Sequence, residues 1–455
     1  MDGHIPYTQM GSQSGNSAYL ATLTNKLLIH RAKSEGRPIY TLQIDMNKAY
    51  NRVKRNQLWV KLSKLGVKEK LLRAIMSTYK TALDKIEIGG KRSETFSLSE
   101  GLRQGSILSP LLYLVDTIDL LNELQEMTRG LTTGDQQIPT VPAIMFVDDL
   151  STLTDDIKQM IKQLKVINNH TWKNGAIINI QKSKIASTQE ENLLEETIRK
   201  TGITLGTTGT YVHLGTKYNL TSNPGQNTLS TGVAHRIGKS RSILNTMLLR
   251  SRESVSICPK KVTEIVMKTI MSSLTFGLTH LELTGADKQA MKRLMGDTVR
   301  MIYCFDGEKT LPDEWLLLEA HIPNPTDLII MSDVKSIYDA KQPTTNKLVA
   351  AVINNDKVYR NMTVINCLKW GVGLENILKL PKKQQREVLM KKSRTHRLER
   401  YNPTPENLTQ KNGQPLPKNS LRKTGNTRIP SFTTNEMQSI PTHEPRGRSI
   451  GMPPL

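Results

Sequence analysis

Two adjacent aspartates close an apolar run near the middle of the chain, Ala143-Ile144-Met145-Phe146-Val147-Asp148-Asp149-Leu150. A third, Asp45, closes a similar run much earlier, Tyr40-Thr41-Leu42-Gln43-Ile44-Asp45. Carboxylates at the ends of hydrophobic strands cost free energy unless something pairs with them. Hard divalent cations seek such oxygen clusters, and two cations held by shared carboxylates can run in-line phosphoryl transfer. Each acid also has an ordinary structural explanation: Asp is a common turn residue, and an Asp after a strand is often a helix N-cap. Between them lies Glu100-Gly101-Leu102-Arg103-Gln104-Gly105-Ser106, then Ile107-Leu108-Ser109-Pro110-Leu111-Leu112-Tyr113. Glycines on both sides of Leu-Arg-Gln let a backbone approach a ligand closely. The helix start behind them offers unpaired N–H groups to an anion.

The elements that must position these groups are read from periodicity. Residues 1–20 are polar and loop-like, with helical spacing from Ala18 to Ala32 and a strand over 39–44. Val53, Leu58, Leu62 and Leu65 lie on one helical stripe that stops at Gly66. A helix over 68–82 leads to a strand at 85–88, a Gly89-Gly90 turn and a return strand at Phe96-Ser97-Leu98. Ser109 reads as the N-cap of a helix reaching about Met127, with Pro110 in its first turn. A polar loop over 129–140, a strand–turn–strand over 143–153 and a helix to about Lys173 follow; Ile177–Ser187 and Tyr211–Tyr218 each alternate like a strand. Residues 228–305 read as helical and basic, 311–400 as mixed, and the stretch beyond Tyr401 as disordered.

The formal charge is +22, and half of that excess falls in residues 379–455, where 16 Lys and Arg face 5 acids. A basic balance this large points to a polyanionic partner. Cys258, Cys304 and Cys367 are far apart, which argues against a disulfide framework or a zinc knuckle and fits a reducing, intracellular compartment. No transmembrane run and no signal pattern is visible.

Taken in order, these segments resemble the central motifs of reverse transcriptases. They are Asp45-x-x-x-Ala49-Tyr50, then Arg103-Gln104-Gly105-Ser106-x-x-Ser109-Pro110-Leu111-Leu112, then Phe146-x-Asp148-Asp149. Gly175-x-x-x-Asn179-x-x-Lys182-Ser183-Lys184 resembles the family's next motif, and Tyr211-x-x-Leu214-Gly215 its primer grip. Gln9-x-Gly11 with Gly15-Asn16-Ser17 resembles the pre-palm segment of non-LTR retrotransposon enzymes, and Gly277-Leu278 is similar to their thumb. The resemblance implies an α+β right-hand palm, a small antiparallel sheet with packed helices, then an α-helical thumb and a disordered basic tail. It divides the chain into a pre-palm segment (1–38), a palm (39–220), a thumb-like region (221–310), a mixed helical extension (311–400) and the tail (401–455).

The same resemblance implies roles. Asp45, Asp148 and Asp149 are the catalytic and metal-binding set for two Mg²⁺ ions, with Mn²⁺ as a substitute. Tyr50, Arg103, Gln104, Gly105 and Lys182 bind the nucleotide, Tyr50 by placing a ring under the sugar. Tyr211, Leu214 and Gly215 form the primer grip. The implied activity is RNA-directed DNA synthesis, with an RNA template, a DNA primer and dNTPs as partners and no membrane; the nucleus is a candidate compartment. The basic run His235-Arg236-Ile237-Gly238-Lys239-Ser240-Arg241 is expected to follow a nucleic-acid backbone. Lys382-Lys383 and Lys391-Lys392-Ser393-Arg394 are expected to flank a short helical stretch. Three departures from the pattern stand out. Only 44 residues precede Asp45, Ser12-Gln13 stands where the pre-palm motif has Phe-Arg, and neither an endonuclease nor a C-terminal Cys/His module is visible. An N-terminally truncated enzyme is the expectation, with an inactive nucleic-acid-binding remnant or a group II intron-type maturase as alternatives.

Overall fold

The fold is known from a computed structural model that describes residues 4–80, 83–189, 205–221, 228–252, 259–302 and 311–400. The disorder expected beyond residue 401 falls outside the described residues. A five-stranded sheet carries the aspartates. Its strands are β1 (Tyr40–Ile44), β8 (Ala143–Phe146), β9 (Asp149–Thr152), β10 (Lys184–Ser187) and β11 (Gly206–Thr208), ordered β11-β10-β1-β9-β8. All pairs are antiparallel except β10–β11. β1 is central, and all five of its residues are buried.

Strand alternation splits the sheet between two hydrophobic layers. Leu42, Ile44, Met145, Leu150 and Ile185 pack with helices α4 (Ser109–Met127) and α5 (Ile157–Asn174). Ile144 and Ala186 belong to the opposite layer, with α1 (Ala18–Ser34) and the helices Pro325–Ala340 and Lys347–Asn355. Ser17 caps α1 by accepting the Leu20 N–H at 3.2 Å. Asp156 caps α5, and Gly175 ends it with φ 69°.

Several local expectations change. Ser109 is not the N-cap of α4: Leu108 holds that position, and Ser109 sits inside the first turn. The hydroxyl of Ser109 donates to Arg103 O at 2.6 Å, so it ties down the preceding loop instead of capping the helix. Residues 129–140 are not simply a polar loop. They contain a ladder of β6 (Leu131–Thr132) and β7 (Thr140–Val141), with Leu131 and Ile138 in the core. Gly89-Gly90 forms the turn expected, both residues at positive φ. The direct return strand is Lys91–Arg92, however, and Phe96–Ser97 pairs with Leu83–Asp84 one layer out.

Only Lys184–Ser187 of the 177–187 run is strand, because Asn179 turns the chain to bond the backbone of Asp45. Tyr211–Tyr218 is a hairpin, not a strand: β12 (Thr210–His213) and β13 (Thr216–Asn219) meet at Leu214 (φ 46°) and Gly215 (φ 72°). Helix α6 (Thr231–Arg252) follows. The described residues of 311–400 are helical; the expected short helical stretch is a 19-residue helix, Lys382–Arg400, that contains both lysine pairs.

Candidate active site

The register of β1 and β9 pairs Gln43 with Ser151 and Ile44 with Leu150, so one further step sets Asp45 across from Asp149. Asp148 occupies the two-residue turn between β8 and β9, beside Val147, whose φ is 60°. A β-branched residue in the left-handed region is strained by about 1–3 kcal/mol. Such turns match the twist of the flanking strands, and this one aims two consecutive carboxylates differently.

Asp148 lies on the side of Tyr50 and Tyr113, and its charge adds to the burial that raises both phenols. Asp149 lines an open cleft of about 270 Å³ with Asp45, Lys182, His213, Leu214 and Gly215. Partial desolvation, then the charges of Asp148 and Asp45, push the Asp149 carboxyl up to about 6 against the pull of Lys182. Desolvation chiefly, with help from Asp45, also raises Asp148. Lys182 Nζ is 4.0 Å from Asp45 Oδ2 and mostly exposed, too loose to neutralise three acids.

This electrostatic frustration fits a divalent cation. Among the described residues, no three His, Cys, Asp or Glu side chains converge closely enough to hold an ion unaided. Mg²⁺ takes one or two carboxylates and keeps its other positions for water and phosphates, and Asp45 and Asp149 line one cleft.

The neighbouring residues are zipped into place by backbone. Leu102 N–H donates to Tyr50 O at 2.7 Å and Gly101 N–H to Val53 O at 2.9 Å. Gly101 (φ 85°) packs so tightly that a Cβ would lie 2.7 Å from Asn51 O. Gln104 Nε2 reaches Asn51 Oδ1 at 3.4 Å. Arg103, Gln104 and Gly105 are exposed at the tip of this loop, and Gly105 has φ 85°. Tyr50 stacks on Tyr113 with centroids 4.9 Å apart. The fold thus brings Tyr50, Gln104 and Asp148 to one side of the carboxylates and Lys182, Leu214 and Gly215 to the other. Tyr211 is not on the cleft: it is buried and stacks on Tyr218 at 4.8 Å, supporting the β12–β13 hairpin.

The basic run on α6 divides in the same way. Arg236 is buried, donates to Thr216 Oγ1 at 3.0 Å and lies over Phe276. Lys239 and Arg241 are exposed.

Other supporting residues carried no sequence signal for the role they play. Arg55 is buried and donates to the carbonyls of Leu98, Gly101 and Glu100, which fixes the base of the Gln104 loop. Ser183 Oγ accepts the Asp45 N–H at 3.0 Å, and the Asn179 N–H donates to Asp45 O at 2.8 Å, so the segment after α5 grips Asp45 from both sides. Ser183 and Asn179 stand inside a matched motif, but only the three-dimensional register reveals what they hold.

A small, mostly antiparallel sheet bearing an aspartate hairpin, backed by helices and followed by a helical region, is consistent with a right-hand polymerase palm and a helical thumb. Residues 1–207 match the reverse transcriptase (RNA-dependent DNA polymerase) family. Over 301 residues the chain is 24% identical to a retrovirus-related Pol polyprotein from type-1 retrotransposable element R2 of Popillia japonica, covering 64% of this chain and 40% of that one. A protein of the same description from Nasonia vitripennis is 27% identical over 128 residues, 28% of this chain and 12% of that one. The chain therefore spans less than half the length of these relatives. Among solved structures, telomerase from Candida albicans in complex with a fragment of telomeric RNA aligns with TM-score 0.40 and 11% identity, over 68% of this chain and 54% of that one. Members of the reverse transcriptase family generally use divalent metals. No helix among the described residues is long and apolar enough to cross a membrane.

Proposed function

We propose that this chain is an RNA-directed DNA polymerase of a non-LTR retrotransposon, joining a dNTP to a primer 3′-hydroxyl on an RNA template. The observation that carries the reading is Asp45 and Asp149 lining one cleft, with Asp148 in the adjoining turn and the Asp148 and Asp149 carboxyls raised, between the Tyr50–Gln104 surface and the Leu214-Gly215 turn. Asp45, Asp148 and Asp149 would hold two Mg²⁺ ions, which supply charge neutralisation on the triphosphate and acidify the attacking hydroxyl. The protein's own share is positional. Tyr50 and Tyr113 form a flat floor beside Asp148 for the sugar, and Gln104 lies above Asn51 where a base pair arrives. Lys182 stands by Asp45 as a cation for the departing pyrophosphate. Leu214-Gly215 offers a tight turn against which the primer end rests, with exposed Lys239 close to Gly215 for a phosphate.

The test is primer extension on an RNA template with dNTPs and Mg²⁺, run beside Asp148→Asn. The wild-type chain should extend the primer, and the variant should lose at least about 10³-fold in rate. Salt-dependent nucleic-acid binding without extension would instead identify an inactive remnant.

A further inference from the structure

Residues 8–10 run beside β8 as an extra rung. Met10 N–H donates to Met145 O at 2.7 Å, and Met145 N–H donates to Thr8 O at 2.8 Å. This covers the sheet edge, whose backbone groups would otherwise be unpaired. It also buries the Gln9 side chain, 0% exposed, against the aspartate turn.

Every hydrogen-bonding position of the Gln9 amide is used. Oε1 accepts the Val147 N–H at 2.9 Å and the Gly11 N–H at 3.0 Å. Nε2 donates to Val147 O at 3.2 Å and to Thr117 Oγ1 of α4 at 3.3 Å. One planar amide thus holds both the N–H and the C=O of the residue strained at φ 60°. Gly11 completes the contact: a Cβ there would lie 2.4 Å from Val147 N and 2.5 Å from Val147 Cγ2. Close approach, not a special φ, demands glycine at that position.

We propose that Gln9, backed by Gly11, is a positioning residue for the aspartate pair: its amide clamps Val147 in the left-handed conformation that presents Asp148 and Asp149 to the two sides of the site. It touches neither metal nor nucleotide. Its consequence for catalysis rests on the polymerase reading; the clamp itself does not. The chemistry of the side chain is specific. Glutamate keeps the acceptor, loses both donors and sets a negative charge against Val147 O. Methionine keeps the volume and loses the whole pattern.

The experiment compares the full chain with Gln9→Met, Gln9→Glu and Gly11→Ala by hydrogen exchange and by primer extension titrated with Mg²⁺. Exchange in a peptide spanning residues 143–150 should rise about tenfold in Gln9→Met, while peptides from α5 stay as protected as in the wild type. The extension rate should fall about 10- to 100-fold, with more Mg²⁺ needed for half-maximal rate and with primer–template affinity and dNTP KM unchanged. Unchanged exchange at the turn would overturn the clamp. A wild-type rate and Mg²⁺ dependence in Gln9→Met would overturn its catalytic reach, as would a rate loss matched by loss of α5 protection, which is the mark of a merely structural role. A wild-type chain that extends nothing sinks the polymerase reading, and the exchange arm then decides the clamp alone.

Discussion

Tyr50 is held in place before any substrate arrives. Its ring lies on that of Tyr113, 4.9 Å away and tilted by 10°, and burial followed by the charge of Asp148 raises its hydroxyl above the usual phenol value. In the proposed polymerase, a rigid ring beside Asp148 is suited to exclude a ribose 2′-hydroxyl by contact. Tyr50→Val should therefore narrow the preference for dNTP over rNTP by roughly 10- to 100-fold. The measurement is paired kcat/KM for one deoxynucleotide and its ribonucleotide on the same template. Tyr50→Phe keeps the ring and should keep the preference. An unchanged ratio in Tyr50→Val would remove Tyr50 from that role and leave it a stacking partner for Tyr113.

At the scale of elements, α1, the 279–282 turn and the C-terminal helices share a buried polar knot. Asp333, 0% exposed, accepts from the Tyr359 hydroxyl at 2.9 Å, the His280 N–H at 3.0 Å, Thr279 Oγ1 at 3.3 Å and the Tyr19 hydroxyl at 3.4 Å. The His280 ring nitrogen Nδ1 joins the same carboxylate. The knot ties α1 to the 279–282 turn and to the helices Pro325–Ala340 and Lys357–Lys369. Asp333→Ala orphans all of these donors at once and should cost about 3 kcal/mol or more, read as a lower urea midpoint. Asp333→Asn keeps an acceptor and should cost less; equal midpoints in all three proteins would contradict the account.

None of this was legible from the sequence, because the partners of Asp333 come from segments up to 314 residues away. The aspartate hairpin was legible, since alternation and turn chemistry are local signals. The β12–β13 hairpin escaped because its turn is Leu214-Gly215, and a leucine at φ 46° carries no turn signature. Ser109-Pro110 looked like a helix cap for sound local reasons, and the bond from Ser109 to Arg103 O overrode them.

At the scale of the molecule, charge and burial pull in opposite directions as the pH changes. The chain carries +22, yet two of its histidines are held uncharged inside it. His170 on α5 is pushed down to about 4 by burial, then by Lys61 and Lys173, with Asp119 opposing. His213 on β12 is pushed down to about 4 by burial alone. A histidine whose folded pKa lies below its unfolded value of about 6.5 contributes stability above that value and loses it as the pH falls toward about 4. The unfolded chain takes up protons there that the folded chain refuses. Asp149, Asp116 and Asp327, each raised by burial, act with the opposite sign, gaining relief as they protonate. The histidine contribution is therefore isolated as a difference: unfolding free energy from pH 8 to 4, wild type against the His170→Gln, His213→Gln double variant. Wild type should lose a few kcal/mol more than the double variant between about pH 6.5 and 4, and the two curves should run parallel above 7. Parallel curves throughout would mean that the two imidazoles titrate alike in the folded and unfolded chain, and that the acid limit of this palm is set by its carboxylates alone.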